Sequence, residues 1–150
     1  MIVMKPDGQR FGRDVLTLDA SALEKGDVVA TVSSNYAGSY PTIYIVDRVT
    51  ATQVVMTGEH SPRFRRDTGT KVGDNWRRLL PMNDPDVLRA LQGVTAHNAA
   101  AQIGKLSAAL ADRNVDYQRT LDLCAEISQV ANDAAARLRE IDATPRAASE

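Results

Sequence analysis

The chain is poor in the residues that most chemistry needs. It has one cysteine, Cys124, so neither an intramolecular disulfide nor a cysteine zinc cluster can form. Its two histidines, His60 and His97, fall in different halves. Neither stands in a His-x-x-x-His pattern, and no metal site is expected. Gly-x-Ser-x-Gly and Gly-x-x-x-x-Gly-Lys-Ser/Thr are both missing, which removes the hydrolase elbow and the phosphate loop. The carboxylates are scattered. The chain is therefore read as non-enzymatic, with no catalytic residue and no cofactor. Aromatic residues make up only 5%, which leaves Ala, Val and Leu to do most of the packing. No run approaches eighteen apolar residues, so no membrane span is expected. Met1-Ile2-Val3-Met4-Lys5-Pro6 lacks the charged start and long apolar run of a secretory signal. A reducing cytoplasm, that of a bacterial host if the chain is phage-encoded, is the expected compartment.

Charge is present but unevenly placed. The net charge is −1, yet Arg63, Arg65, Arg66, Lys71, Arg77 and Arg78 crowd together, opposed there only by Asp67 and Asp74.

The pattern of apolar residues divides the chain. Residues 1–24 form an N-terminal extension of mixed signal, with a turn at Asp7-Gly8, apolar Val15, Leu16, Leu18 and Leu23, and a Ser21-to-Glu24 capping box. From residue 25 the signal is β. Strands are expected at residues 28–32, 42–46, 53–56, 63–66 and 71–73, with residues 35–41 as a loop and turns at 57–62 and 67–70. Four or five short strands in about 55 residues suggest a small barrel, because closure reduces exposed edges. Asp84 as N-cap with Pro85 at the first helical position opens the next segment. Residues 84–142 then read as helical, and residues 143–150 as a frayed tail. The predicted fold class is α+β: a five-strand Src-homology-3-like barrel followed by a long coiled-coil or helical-hairpin segment.

A three–four spacing runs through the helical segment. From Ile103 it gives Leu106, Leu110, Arg113, Tyr117, Thr120, Cys124, Ile127, Ala131, Ala134, Leu138 and Ile141. Arg113 and Thr120 interrupt it, and Leu121, Leu123 and Val130 widen it. Such a repeat is a seam for self-association. A continuous helix is favoured because residues 105–143 lack Gly and Pro. A break near residues 111–114 would instead give a hairpin. Cys124 falls on the seam, either as a small buried hydrophobe or as a contact between copies.

The basic cluster is the one constellation that suggests binding. Arg63, Arg65 and Lys71 alternate around a turn, with Arg66 between them and Arg77 and Arg78 following beside Trp76. Arginines next to an aromatic plane neutralise phosphates and stack on bases, and Tyr36, Tyr40 and Tyr44 extend such a surface. Against this, alternating Arg also solubilises an exposed strand, and Trp76 more often plugs a small barrel.

Lys25-Gly26-Asp27-x-Val, leading into a Val-rich strand, resembles the opening of the KOW-type barrels of ribosomal proteins and transcription factors. Residues 46–55 and 63–73 are also similar to small barrel proteins of tailed bacteriophages and mobile elements. The KOW resemblance implies contact with RNA or with a protein partner. The expected function is an accessory or regulatory binding protein, phage-encoded, that contacts DNA or RNA through the Arg-rich hairpin and forms homo-oligomers through its helices. The alternative is a structural or interaction module whose helical stripe engages a host or virion protein.

Overall fold

A computed structural model describes residues 2–10 and 13–146. Its elements in chain order are β1 (Met4–Arg10), β2 (Arg13–Leu18), a 3-10 helix (Ala20–Ala22), β3 (Val28–Asn35), β4 (Gly38–Val49), β5 (Gln53–Met56), β6 (Arg63–Arg65), β7 (Thr70–Lys71), β8 (Asp74–Arg78), β9 (Leu80–Pro81), α1 (Pro85–Leu110) and α2 (Tyr117–Ala143). The protein is α+β, with an antiparallel, barrel-like sheet followed by two helices. The sheet has seven strands in the order β8-β7-β6-β5-β4-β3-β9, and β1 and β2 make a separate hairpin. Because β8 and β9 are nearly continuous in sequence, the segment 74–81 pairs with β7 at one end and with β3 at the other. That brings the sheet close to a closed ring.

Residues 35–41, expected as a loop, are instead a tight hairpin. Asn35 pairs with Gly38, so only Tyr36 and Ala37 lie outside the ladder. The Asn35 side chain caps this tip by accepting from the Ala37 N–H at 2.8 Å. Pro41 is tolerated within β4 because β5 pairs only from Val46 onward, leaving β4 with a single partner at that point. The turn expected at Asp7-Gly8 is an irregularity inside β1, where the register shifts between Pro6 and Gln9.

Alternation along the strands builds the core. Val29, Tyr44, Val46, Val54, Met56, Phe64 and Leu79 point inward. Tyr44 meets Phe64 edge-on, with ring centroids 5.3 Å apart. The N-terminal residues belong to the same core through Leu18, Ala20 and Leu23. Asp19, rather than Ser21, caps the 3-10 helix. Its carboxylate accepts from the Ser21 hydroxyl at 2.6 Å and from the Ser21 N–H at 3.1 Å. Those two bonds, with Lys5 3.8 Å away, hold the Asp19 carboxyl below its ordinary range.

Among the described residues, one buried side-chain oxygen has no partner. Thr31 is fully enclosed, and its Oγ1 makes no hydrogen bond. Replacing it with valine keeps the shape and removes a desolvated hydroxyl, which costs about 1–3 kcal/mol when unpaired. Thr31→Val is therefore expected to stabilise the protein by about 1 kcal/mol. A urea midpoint that falls would show that the hydroxyl is in fact satisfied.

The chain separates into two compact units, residues 1–90 with 145–150, and residues 91–144. The second unit holds most of α1 and all of α2. The continuous helix expected from the lack of Gly and Pro is not formed. Asp112 accepts from the Asn114 N–H at 2.9 Å, and Asp116 accepts from the Arg119 N–H at 2.7 Å as the N-cap of α2. These short carboxylates bond local backbone in place of the helix ladder, and that competition ends one helix and starts the next. Within this unit the half-covered positions of α1 are Leu91, Gln92, Val94, Thr95, Ala99, Ile103, Leu106 and Leu110. On α2 the covered positions are Thr120, Leu123, Ile127, Val130, Ala134, Ala135, Leu138 and Ile141, with Leu123 and Ile141 buried. Cys124 is exposed, as is Ala131. The covered stripe therefore takes Leu123 and Val130 where the expected seam had their C-terminal neighbours. Thr120, Ile127, Ala134, Leu138 and Ile141 of the expected seam keep their places on it. Tyr117, at 78% exposure, is also off the covered stripe.

Candidate nucleic-acid interface

Strand β6 is short, and its middle residue decides its orientation. Phe64 is fully buried opposite Val54, so Arg63 and Arg65 project from the outer face. Both are exposed. Neither forms a side-chain hydrogen bond or an ion pair among the described residues, and the same holds for Lys71 on β7. Lys71, expected on the same basic face, is the ladder partner of Phe64 and so shares the face of Phe64, not that of Arg63 and Arg65. Arg63 and Arg65 are thus the two outward cations of β6 left without counter-charges among the described residues.

Trp76 does not plug the barrel. It is 97% exposed on β8, and its backbone N–H bonds the Asp74 carboxylate at 3.2 Å. The core position at the end of this segment is taken by Leu79 instead. Trp76 therefore lies on the outer surface two strand spacings from β6, roughly 10 Å across the sheet.

Not all of the sequence cluster reaches this surface. Arg77 is ion-paired with Asp74 at 3.1 Å. Arg78 is half-buried beside Gly69. Arg66 is committed to the fold. Its Nε and Nη2 donate to the Ser21 carbonyl at 3.3 and 2.9 Å, and its Nη1 donates to the Thr50 carbonyl at 3.3 Å. It thereby ties the 3-10 helix, the β4–β5 turn and the end of β6 together. The three tyrosines separate as well. Tyr44 is in the core, Tyr40 is partly exposed, and Tyr36 stands fully in solvent at the hairpin tip.

A cleft of about 530 Å³ opens beside Arg65 and Arg66. Ser21, Ala51, Thr52, Gln53, Asp67 and Val72 complete its walls. No linear motif announces it, since Ser21 and Arg66 are 45 positions apart. One signal was nevertheless present in the sequence. In Arg63-Phe64-Arg65-Arg66 the last arginine shares the parity of Phe64, so it turns toward the inner rim, where a guanidinium must find carbonyls.

Elsewhere the described residues contain no group of three or more His, Cys, Asp or Glu side chains placed to hold a metal ion. None of their helices is long and apolar enough to cross a membrane. Compared with known proteins, the chain matches no family model, no curated protein and no solved structure.

Proposed function

We propose that this protein is a non-enzymatic accessory factor that binds nucleic acid on the outer face of β6 to β8. Arg63 and Arg65 contact phosphates, and Trp76 offers a plane on which an unpaired base stacks. The reading is carried by one observation: two outward arginines without counter-charges lie near a tryptophan left almost wholly in water. Exposed alternating arginines alone would serve solubility, but a solvent-facing indole adds nothing to solubility.

Trp76 is the only tryptophan, so its fluorescence reports directly on this surface. Single-stranded DNA and RNA oligonucleotides are expected to quench it. Two neutralised phosphates correspond to a log–log salt slope of about −1.4, so affinity should fall roughly 7-fold between about 50 and 200 mM salt. Replacing both Arg63 and Arg65 with glutamine should bring the slope close to zero. Quenching that is absent, or that ignores salt, would overturn the proposal. That result would favour the second reading, a protein-interaction module acting through the helices. Tyr117 and Leu121, one helical turn apart on α2 and both exposed, are the observation that supports it.

A further inference from the structure

The cleft beside β6 has the makings of an anion site. Arg66 is held there by three hydrogen bonds to neutral carbonyls. A guanidinium has five N–H groups, so two remain unspent. No carboxylate forms an ion pair with it among the described residues. Its charge is fixed in place but not neutralised. Arg65, on the opposite parity, lines the same cleft and is free to move. Gln53 and Thr52 add neutral donors to the wall, while Asp67 supplies one negative charge. Two guanidiniums against one carboxylate leave the cleft net positive.

From this geometry we infer that the cleft seats the phosphate of a phosphodiester, with Arg66 as the fixed donor and Arg65 as the closing one. Planar guanidinium forks suit phosphate oxygens, and a donor already held by the fold loses little freedom on binding. Asp67 selects for charge. A carboxylate in the wall repels a phosphate dianion more than the single charge of a phosphodiester, and it accepts readily from a sugar hydroxyl or a base amino group. A strand phosphate is thereby preferred to free phosphate. In that strand-bound form the inference rests on the nucleic-acid reading above.

The test uses the full chain labelled with 15N and observed by amide NMR, with two probes, a short single-stranded oligonucleotide and inorganic phosphate. The oligonucleotide is expected to shift the amides of Ser21, Ala51, Thr52, Gln53 and Asp67. Arg65→Gln should remove those shifts and weaken binding about tenfold, the scale of one charge-assisted hydrogen bond. Asp67→Asn should instead tighten phosphate binding several-fold, which a variant that merely unfolds could not do. If the oligonucleotide binds but shifts only amides around Arg63 and Trp76, the cleft is excluded and the nucleic-acid reading survives. If only inorganic phosphate shifts the cleft amides, the strand-phosphate assignment is overturned, and the nucleic-acid reading falls with it only where the oligonucleotide shifts no amide at all. If neither probe shifts them, the inference is wrong.

Discussion

Truncating Phe64 to alanine should cost the barrel about 3–5 kcal/mol, the range for emptying a buried phenylalanine site. Few residues here could cost more. Phe64 is among the largest fully buried side chains and is fully enclosed. It packs edge-on against Tyr44, the other aromatic ring of the core. The rest of that core is aliphatic or small, so no neighbouring ring can swing in to fill the space. Strand β6 is only three residues long and is paired on both sides, which limits collapse around the gap. Domains of this kind are stable by roughly 5–15 kcal/mol in total, so the loss would leave a large unfolded fraction. Urea denaturation should show a lower midpoint with an unchanged slope. A loss below about 1 kcal/mol, smaller than any such truncation in a packed core, would mean that Phe64 does not occupy this core.

The second large effect is expected at Arg66. Arg66→Met keeps the apolar stem and removes the guanidinium, leaving the Ser21 and Thr50 carbonyls without that donor. Hydrogen bonds to charged groups contribute about 1.5–3 kcal/mol. The carbonyls are near solvent, and water will replace part of what is lost, so about 2 kcal/mol is expected for the set. Lysine should not rescue the protein, because a single ammonium cannot reproduce the fork that spans two carbonyls. Hydrogen exchange localises the effect: amides near residues 19–23 and 50–53 should exchange faster, while those of α2 should not change. Uniform acceleration across the chain would contradict the role of Arg66 as a local tie.

Much of this fold could be read from residue type. The β-branched runs at 28–32, 42–46 and 53–56 lie in strands, and Pro85 opens α1. In each case the local preference and the tertiary demand agree. Two of the misreadings share a cause, since they occur where a short polar side chain bonds nearby backbone. Asn35 makes a two-residue hairpin tip out of an apparent loop, and Asp112 and Asp116 divide what looked like one helix. Propensity scales count Asn and Asp as moderate helix or strand residues and do not register a specific bond. The candidate site was legible in part. Alternation put Arg63 and Arg65 on a wet face, but Lys71, expected with them, pairs with Phe64 and lies on the other face. Counting the basic residues as one cluster hid the fact that Arg66 and Arg77 are already bound within the fold. The exposure of Trp76 was not legible, because the core place that a barrel-closing residue would take is filled by Leu79.

The segment 74–81 also has a meaning in time. Strand β3 is among the first parts of the sheet to be synthesised, yet its second neighbour, β9, pairs Pro81 with Val29 and Leu80 with Ala30. At ordinary translation speeds of 5–20 residues per second, that edge waits roughly 3–10 s for its partner. Throughout the wait a nascent chain offers an open row of backbone donors and acceptors next to Val28, Val29 and Ala30, which is the template on which strands from neighbouring chains add. The hazard at these residues therefore belongs to the growing polypeptide and ends once β9 docks on Val29 and Ala30. Ribosome spacing and chaperone access, more than the stability of the native state, should determine how much of this protein a cell recovers in soluble form.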